Sequence, residues 1–259
     1  MDFGMPTLME FQSITENCAL ARRLGLDFVE LNMNLPYCTI DALRETDLPS
    51  LAKKHHLYFT IHADENLFFC DFNRHVADAH LSTMLETIKL CKSSDIPLVN
   101  FHMSSGVYFS LPDGKHYLFD AYPDHYKQRL NAFRDACEKA AGSQVALCIE
   151  NTGLNQGFIL KGMEFLLASP AFHLTWDIGH DYSAGNIDSP FILSHPDRLL
   201  HMHIHGAMGK KNHLSLSGSE LDWHEQLRIG DPKRAVIEVK TSQFLKESVS
   251  VLRRSIGGA

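Results

Sequence analysis

The chain has 259 residues, 44% of them hydrophobic, and a formal net charge of −7. That length suits one large domain or two small ones, and no apolar run approaches the roughly 18 consecutive residues of a membrane-spanning helix. The acidic balance disfavours a nucleic-acid surface, which needs a basic footprint, although charge can be local.

Taken in order, residues 3–9 mark a first, weakly patterned strand. The spacing of Cys18, Leu20, Ala21 and Leu24 predicts a helix over 15–24 that stops at Gly25. Asp27–Leu31 reads as a strand ending near Glu30, and Ile40–Lys54 as a helix with a break at Asp47-Leu48-Pro49. The aromatic and β-branched run Leu57–His62 predicts a strand. A loop over 64–73 leads to a long helix, Arg74–Ser93, and then to a strand, Leu98–His102. Gly106, Pro112 and Gly114 mark a longer loop, followed by a helix over Asp124–Ala141 that stops at Gly142. Gln144–Glu150 is the next strand, Lys161–Ala168 a short helix, and Leu174–Asp177 a strand after which Gly179 turns the backbone. Pro190–Ser194 reads as a short helix. Arg198–His205 alternates, which places His201, His203 and His205 on one face of a strand. A loop over 206–219, a helical piece over Trp223–Arg228, a strand over Ala235–Val239 and a helix over Ser242–Arg253 close the chain.

Strands alternating with helices imply a parallel sheet with right-handed crossovers. Eight such units with no linker between them predict an α/β fold made of one (β/α)8 TIM barrel spanning residues 1–259. A doubly wound open sheet is the alternative. It usually carries a glycine-rich phosphate loop, and neither GxGxxG nor GxxxxGK[ST] is present, so no organic cofactor is expected. The six cysteines are scattered without a CxxC pair, which suggests free thiols in a reducing compartment. Met1–Pro6 lacks a basic segment followed by an apolar one, so no secretory signal is expected and a cytoplasmic location follows. A homo-oligomer is compatible with all of this.

The 16 histidines are the compositional oddity. His55, His56, His116 and His125 read as surface residues, whereas others stand at strand ends. One strand-end histidine or carboxylate is an ordinary capping or hydrogen-bonded residue. A barrel, however, gathers the C-terminal ends of all its strands at one mouth. Glu30, His62, His102, Glu150, Asp177, His203 and Glu238 would then meet there, and such a cluster is first of all a metal site. His201, His203 and His205 cannot all be ligands, and the middle one is the expected one. Glu150, Asp177, His203 and Glu238 form a carboxylate-rich set suited to Mn²⁺, Mg²⁺, Co²⁺ or Zn²⁺. Two glutamates flanking a substrate can move a proton between adjacent carbons, with the metal polarising a carbonyl or hydroxyl. His62, His102, His180 and His213 add nitrogen ligands for a second or third zinc, the arrangement that cleaves phosphodiesters.

These motifs, in order, are Val29-Glu30-Leu31, Ile61-His62-Ala63, Asn100-Phe101-His102, Ile149-Glu150-Asn151-Thr152, Trp176-Asp177-Ile178-Gly179-His180, His201-Met202-His203-Ile204, His213-Leu214-Ser215-Leu216 and Ile237-Glu238. Over essentially the whole chain they resemble the xylose-isomerase-like TIM-barrel superfamily, which contains sugar isomerases and epimerases, hydroxypyruvate isomerase and endonuclease IV. In the isomerase and epimerase branch, the resemblance implies metal ligands at Glu150, Asp177, His203 and Glu238. The two glutamates there also serve as acid and base, and His180 touches substrate. In the endonuclease IV branch, it implies one zinc on His62, His102 and Glu150 and another on Glu150, Asp177, His203 and Glu238. A third zinc would lie on His180 and His213 with an aspartate two residues before His213.

The chain departs from both patterns. Lys211 stands where that aspartate is expected, Ala63-Asp64-Glu65-Asn66 puts acid where the DNA enzyme places an aromatic, and Ser217-Gly218-Ser219 replaces Gly-Glu-Gly. The arginine that shortly follows the histidine ligand in epimerases is absent, and Gln156 stands where a second glutamate often follows Glu150. Lys210 and Lys211 offer themselves to a phosphate or carboxylate, with a solvated loop as their alternative role, and Glu30 completes the expected substrate contacts. Charge and the altered loops favour a metal-dependent isomerase or epimerase of a sugar, sugar phosphate or related hydroxy-carbonyl compound. The additional histidines favour a zinc phosphodiesterase acting on abasic DNA.

Overall fold

Along each barrel strand, alternate residues face the helices and are apolar: Leu31, Ile61, Val99, Phe101, Ile149, Trp176, Met202 and Ile237 are all buried. The residues between them face inward, and toward the strand ends these become polar. The computed structural model of the protein, which describes residues 1–153 and 157–256, resolves this pattern into a closed barrel. Gln156 lies outside the described residues.

The strands are β1 (Asp2–Pro6), β2 (Phe28–Asn32), β3 (Tyr58–His62), β4 (Leu98–His102), β5 (Tyr108–Leu111), β6 (Gly114–Tyr117), β7 (Ala146–Glu150), β8 (Phe172–Asp177), β9 (Leu199–Ile204), β10 (Gly206–Met208), β11 (Lys211–Leu214) and β12 (Arg234–Ile237). Strands β1, β2, β3, β4, β7, β8, β9 and β12 form the barrel in that order, and β12 closes on β1 in parallel. The eight-unit barrel expected from the alternation is therefore realised, and the open sheet is excluded. At the N-terminal end the interior is plugged by Phe28 stacked on Tyr58, with ring centroids 5.0 Å apart. Outside, Phe69 stacks on Phe133 at 3.7 Å and both meet Phe101 of β4, which ties the loop after β3 and the helix Pro123–Ala141 to the barrel wall.

Several helix starts follow from local chemistry. Ser13 caps the helix Ile14–Arg23 in a reciprocal arrangement with Glu16. Asn73 caps the long helix Arg74–Ser93. The segment 40–54 forms two helices, Ile40–Glu45 and Leu48–His55, and the expected break falls at Asp47, whose side chain caps the second.

Two expected loops contain strands. The loop after His102 folds into the antiparallel hairpin β5–β6 and a short helix, Leu118–Ala121. Every residue of β5 is exposed, so its burial shows none of the two-sided alternation that marks the barrel strands. The loop after His205 forms the antiparallel ribbon β10–β11. Gly179 does not turn the chain: it sits in a short helix, Ile178–Ser183, capped by Asp177. His56 and His116 are exposed as expected, but His55 is half-buried and so is His125, which stacks on Phe72 at 4.2 Å. All six cysteines are free and buried. Among the described residues, no helix is long and apolar enough to cross a membrane.

Candidate active site

The barrel register decides which inward residues share a level. Asn32 pairs with His62, His62 with Asn100, His102 with Glu150, and Asp177 with His203. Glu150 ends β7, Asp177 ends β8, His203 stands one residue before the end of β9, and Glu238 follows β12 directly. Ligand atoms of Glu150, Asp177, His203 and Glu238 all lie within 4.8 Å of one another. His203 Nδ1 is the centre: it is 3.3 Å from Glu150 Oε1, 3.3 Å from Glu238 Oε2 and 4.0 Å from Asp177 Oδ2.

Three of these atoms, Glu150 Oε1, His203 Nδ1 and Glu238 Oε2, are buried and accept or donate no hydrogen bond. A buried polar atom without a partner is costly, and here three of them face each other. Their separations are close to the roughly 3 Å between neighbouring ligand atoms around an ion bonded at about 2.1 Å. The donor set, three carboxylates and one imidazole, thus fits a hard or borderline divalent cation.

A second group shares Glu150. His62 Nε2 and His102 Nε2 lie 3.4 and 3.2 Å from its Oε2, which also accepts a hydrogen bond from Asn100. His62 Nδ1 bonds the Ala63 carbonyl at 2.9 Å, which leaves Nε2 turned into the barrel. A third group lies toward the ribbon, where His180 Nε2 and His213 Nε2 are 3.2 Å apart and His205 is adjacent. His213 Nδ1 faces the Glu238 carbonyl at 3.1 Å.

Below the ring sits Glu30. It is 1% exposed, accepts a hydrogen bond from Thr60, and lies 2.9 Å from His203 Nε2 and 3.1 Å from His201 Nε2. This placement turns His203 Nδ1 toward the ring. Around Asp177, Asn151 clamps the strand end: its Oδ1 accepts the Asp177 N–H at 2.7 Å and its Nδ2 donates to the Asp177 carbonyl at 3.0 Å. Asp181, also buried, accepts from Trp176 Nε1 and from the Asp188 N–H.

Burial raises the pKa of each ring carboxyl, yet the histidines reverse the sign. His203 and His102 hold Glu150 well below the usual carboxylate range, His203 holds Glu238 low, and His205 and His180 hold Asp177 low. Burial alone would depress His203, but Glu150, Glu30 and Glu238 raise it well above its ordinary value. Without a cation the ring is an array of ionised carboxylates balanced by protonated imidazole. A divalent ion would displace those protons.

The ring opens into a groove of about 370 Å³, within the size range of small-molecule sites. Glu238, His213, Asn32, Asn34, Glu65 and Lys240 are among its lining residues. Asn34 bonds both Asn32 Oδ1 and Glu65 Oε1.

A family model described as xylose isomerase-like TIM barrel matches residues 18–242. The chain belongs to this family. Among solved structures of the superfamily, a D-tagatose 3-epimerase-like protein superposes with a TM-score of 0.78 at 18% identity, covering 99% of this chain and 97% of that one. D-Psicose 3-epimerase from Clostridium cellulolyticum, solved with D-tagatose, gives 0.73 at 13% identity and 99% coverage of both chains. Endonuclease IV from Thermus thermophilus gives 0.68 at 15% identity over the full length of both. At these identities the likeness shows the fold alone. No curated protein sequence matches the chain.

Within this xylose isomerase-like barrel, the seven expected strand-end residues separate into levels. His62, His102, Glu150, Asp177, His203 and Glu238 meet at the mouth, with His180 and His213 beside them. Glu30 lies one level deeper, because Asn32 and not Glu30 is at the register of His62. Lys210 and Lys211 lie at the exposed turn of the β10–β11 ribbon, and the lysine that lines the groove is Lys240. Sequence reasoning gave no role to Asn32, Asn100, Asn151 or Lys240, and it set His205 aside in favour of His203. The alternation of β2 and β4 offered the signal for Asn32 and Asn100, each two residues from an acidic or histidine position on the same face.

Proposed function

We propose that the protein is a divalent-metal-dependent isomerase or epimerase that moves a proton between adjacent carbons of a sugar, sugar phosphate or related hydroxy-carbonyl compound. The observation that carries this reading is the convergence of three unpartnered buried atoms, from Glu150, His203 and Glu238, the last of which also lines a small groove. Glu150, Asp177, His203 and Glu238 would hold the ion. When bound, it would supply Lewis-acid polarisation of the substrate's carbonyl and hydroxyl oxygens.

The remaining chemistry falls to side chains. Glu150 and Glu238 are both kept ionised, so either can accept a proton from a carbon next to a carbonyl. They stand on β7 and just past β12, on either side of His203. The glutamate that takes the proton becomes the acid and returns it to the neighbouring carbon, ending ionised again. Inversion at one carbon instead needs the second glutamate to enter protonated, so that it gives its proton to the opposite face and ends ionised as the first ends protonated. Glu30 fixes His203 from below, and Asn32, Asn34 and Lys240 offer hydrogen bonds to hydroxyl groups along the groove. The names of the tagatose and psicose epimerases among the similar structures agree with a monosaccharide-sized substrate.

A second reading is a zinc phosphodiesterase. It rests on His62 and His102, whose Nε2 atoms converge on Glu150 Oε2 and which proton transfer does not require. One experiment separates the two. Protein loaded with Mn²⁺, Co²⁺ or Zn²⁺ is incubated in D₂O with a panel of keto- and aldo-sugars, their phosphates and hydroxypyruvate, and carbon-bound deuterium is followed by NMR. Deuterium uptake that vanishes in Glu150→Gln and Glu238→Gln supports the first reading. No uptake across the panel, with cleavage of an abasic-site duplex by the zinc protein, overturns it for the second.

A further inference from the structure

His205 is fully buried at the mouth, yet it belongs neither to the four-residue ligand set nor to the acid–base pair. Both of its ring nitrogens are engaged. Nδ1 lies 3.3 Å from the Gly206 carbonyl, but the His213 backbone N–H, at 2.8 Å, can only donate to it, and this shorter contact assigns Nδ1 as the unprotonated nitrogen. The proton therefore sits on Nε2, which lies 3.0 and 3.1 Å from Asp177 Oδ1 and Oδ2 and donates to that carboxylate. Asp177 Oδ1 also takes the His180 N–H at 2.6 Å. The carboxylate is thus gripped from two directions while Asn151 holds its backbone.

Two features show that the chain is built around this imidazole. A Cβ at residue 179 would run into the His205 ring, so only glycine there leaves the ring its place. His213 adopts a left-handed backbone conformation, φ 52°, which a non-glycine residue takes rarely, and its N–H meets His205 from that conformation. One side chain therefore connects the expected ligand Asp177 to the residue whose Nε2 faces His180.

We propose that His205 is a positioning residue that locks the Asp177 carboxylate in the orientation of a metal ligand and registers the β10–β11 ribbon so that His213 closes the mouth. This rests on the metal reading above. A carboxylate held by an N–H donor is already oriented for an ion, and loss of such support typically lowers metal affinity about 10–100-fold.

The test is metal affinity, measured by competition with a chromogenic chelator, for Zn²⁺ and Mn²⁺ on the full chain. Three variants separate positioning from packing. His205→Gln can still present an N–H to Asp177 and should remain within about threefold of wild type, whereas His205→Phe fills the space without the bond and should lose about 10–100-fold. His205→Asn keeps a polar group near His213 but is too short to reach Asp177, and should fall with phenylalanine. Circular dichroism identifies any variant that fails to fold, and the glutamine–asparagine pair decides the matter if phenylalanine does. Wild-type affinity in the asparagine and phenylalanine variants, or glutamine weaker than either, overturns this proposal alone. No metal uptake by wild-type protein overturns the metal reading and this proposal with it.

Discussion

Replacing Gly179 by alanine adds one carbon to a helix, a change that ordinarily stabilises by up to about 1 kcal/mol. Here it should do the reverse. The new carbon overlaps the His205 ring, which is fully buried and cannot swing into solvent. Relief requires the imidazole to leave Asp177 and the His213 N–H. The bond to the ionised carboxylate is worth about 1.5–3 kcal/mol, and an orphaned buried N–H costs about 1–3 kcal/mol. After a helix-propensity gain of up to about 1 kcal/mol, the net loss is about 1.5–5 kcal/mol, which for a chain of this size lowers Tm by roughly 3–20 °C. The control is Gly157→Ala, at the exposed start of the helix Gly157–Leu167, where an added carbon meets nothing within 4 Å. It should leave Tm unchanged or raise it slightly. Differential scanning calorimetry of EDTA-treated protein reads both effects without involving metal. Gly179→Ala as stable as wild type would refute the packing of His205 against residue 179, and with it the reason for glycine there.

Glu150→Gln and Glu238→Gln should each lower turnover by about 10²–10⁴-fold with the fold intact, whereas His55→Ala should leave it unchanged; comparable losses in all three would mean that the site lies elsewhere. Glu30→Ala should cost about 3–5 kcal/mol in a chemical denaturation experiment, because it strands His201 and His203 in the interior; a loss below about 1 kcal/mol would contradict the support assigned to Glu30. Although burial pushes the Glu30 pKa up, His203 and His201 hold it far below 4.5, so its contribution is present above that pH and is lost as pH falls further. His62 has the opposite sign. Burial lowers its pKa, but Glu150 and Glu30 raise it to about 9 from 6.5, so in metal-free protein its contribution is full below pH 6.5 and is lost as pH rises through about 9. A bound cation competes with that proton, so the Tm difference between zinc-loaded and EDTA-treated protein should widen from pH 6.5 to 9, and a narrowing would contradict the linkage.

The barrel was legible in the sequence because every barrel strand but the weakly patterned β1 carries its own signal: an apolar outer face, a polar inner end and a helix before the next strand. The residues gathered at the mouth were legible for the same reason, since the fold, once assigned, brings strand ends together. Depth was not. Glu30 and Asn32 differ by one pleat, and only the pairing of β2 with β3 shows which stands level with His62. His201, His203 and His205 share one face in sequence, but their partners Glu30, Glu150 and Asp177 come from three other strands, so their separate roles depend on register. Gly179 read as a turn because a glycine after a strand usually is one; its actual constraint is a ring 26 residues later in the chain. The hairpin β5–β6 left no two-sided pattern because its first strand is exposed throughout.

The measurement that tests the central claim most directly is metal content per chain, by inductively coupled plasma mass spectrometry, on protein purified without chelators. The account predicts at least one divalent ion per chain, retained on dialysis and lost in His203→Ala, whose Nδ1 is the centre of the ring. No metal in the wild-type protein, even after dialysis against Mn²⁺, Co²⁺ and Zn²⁺, would contradict it.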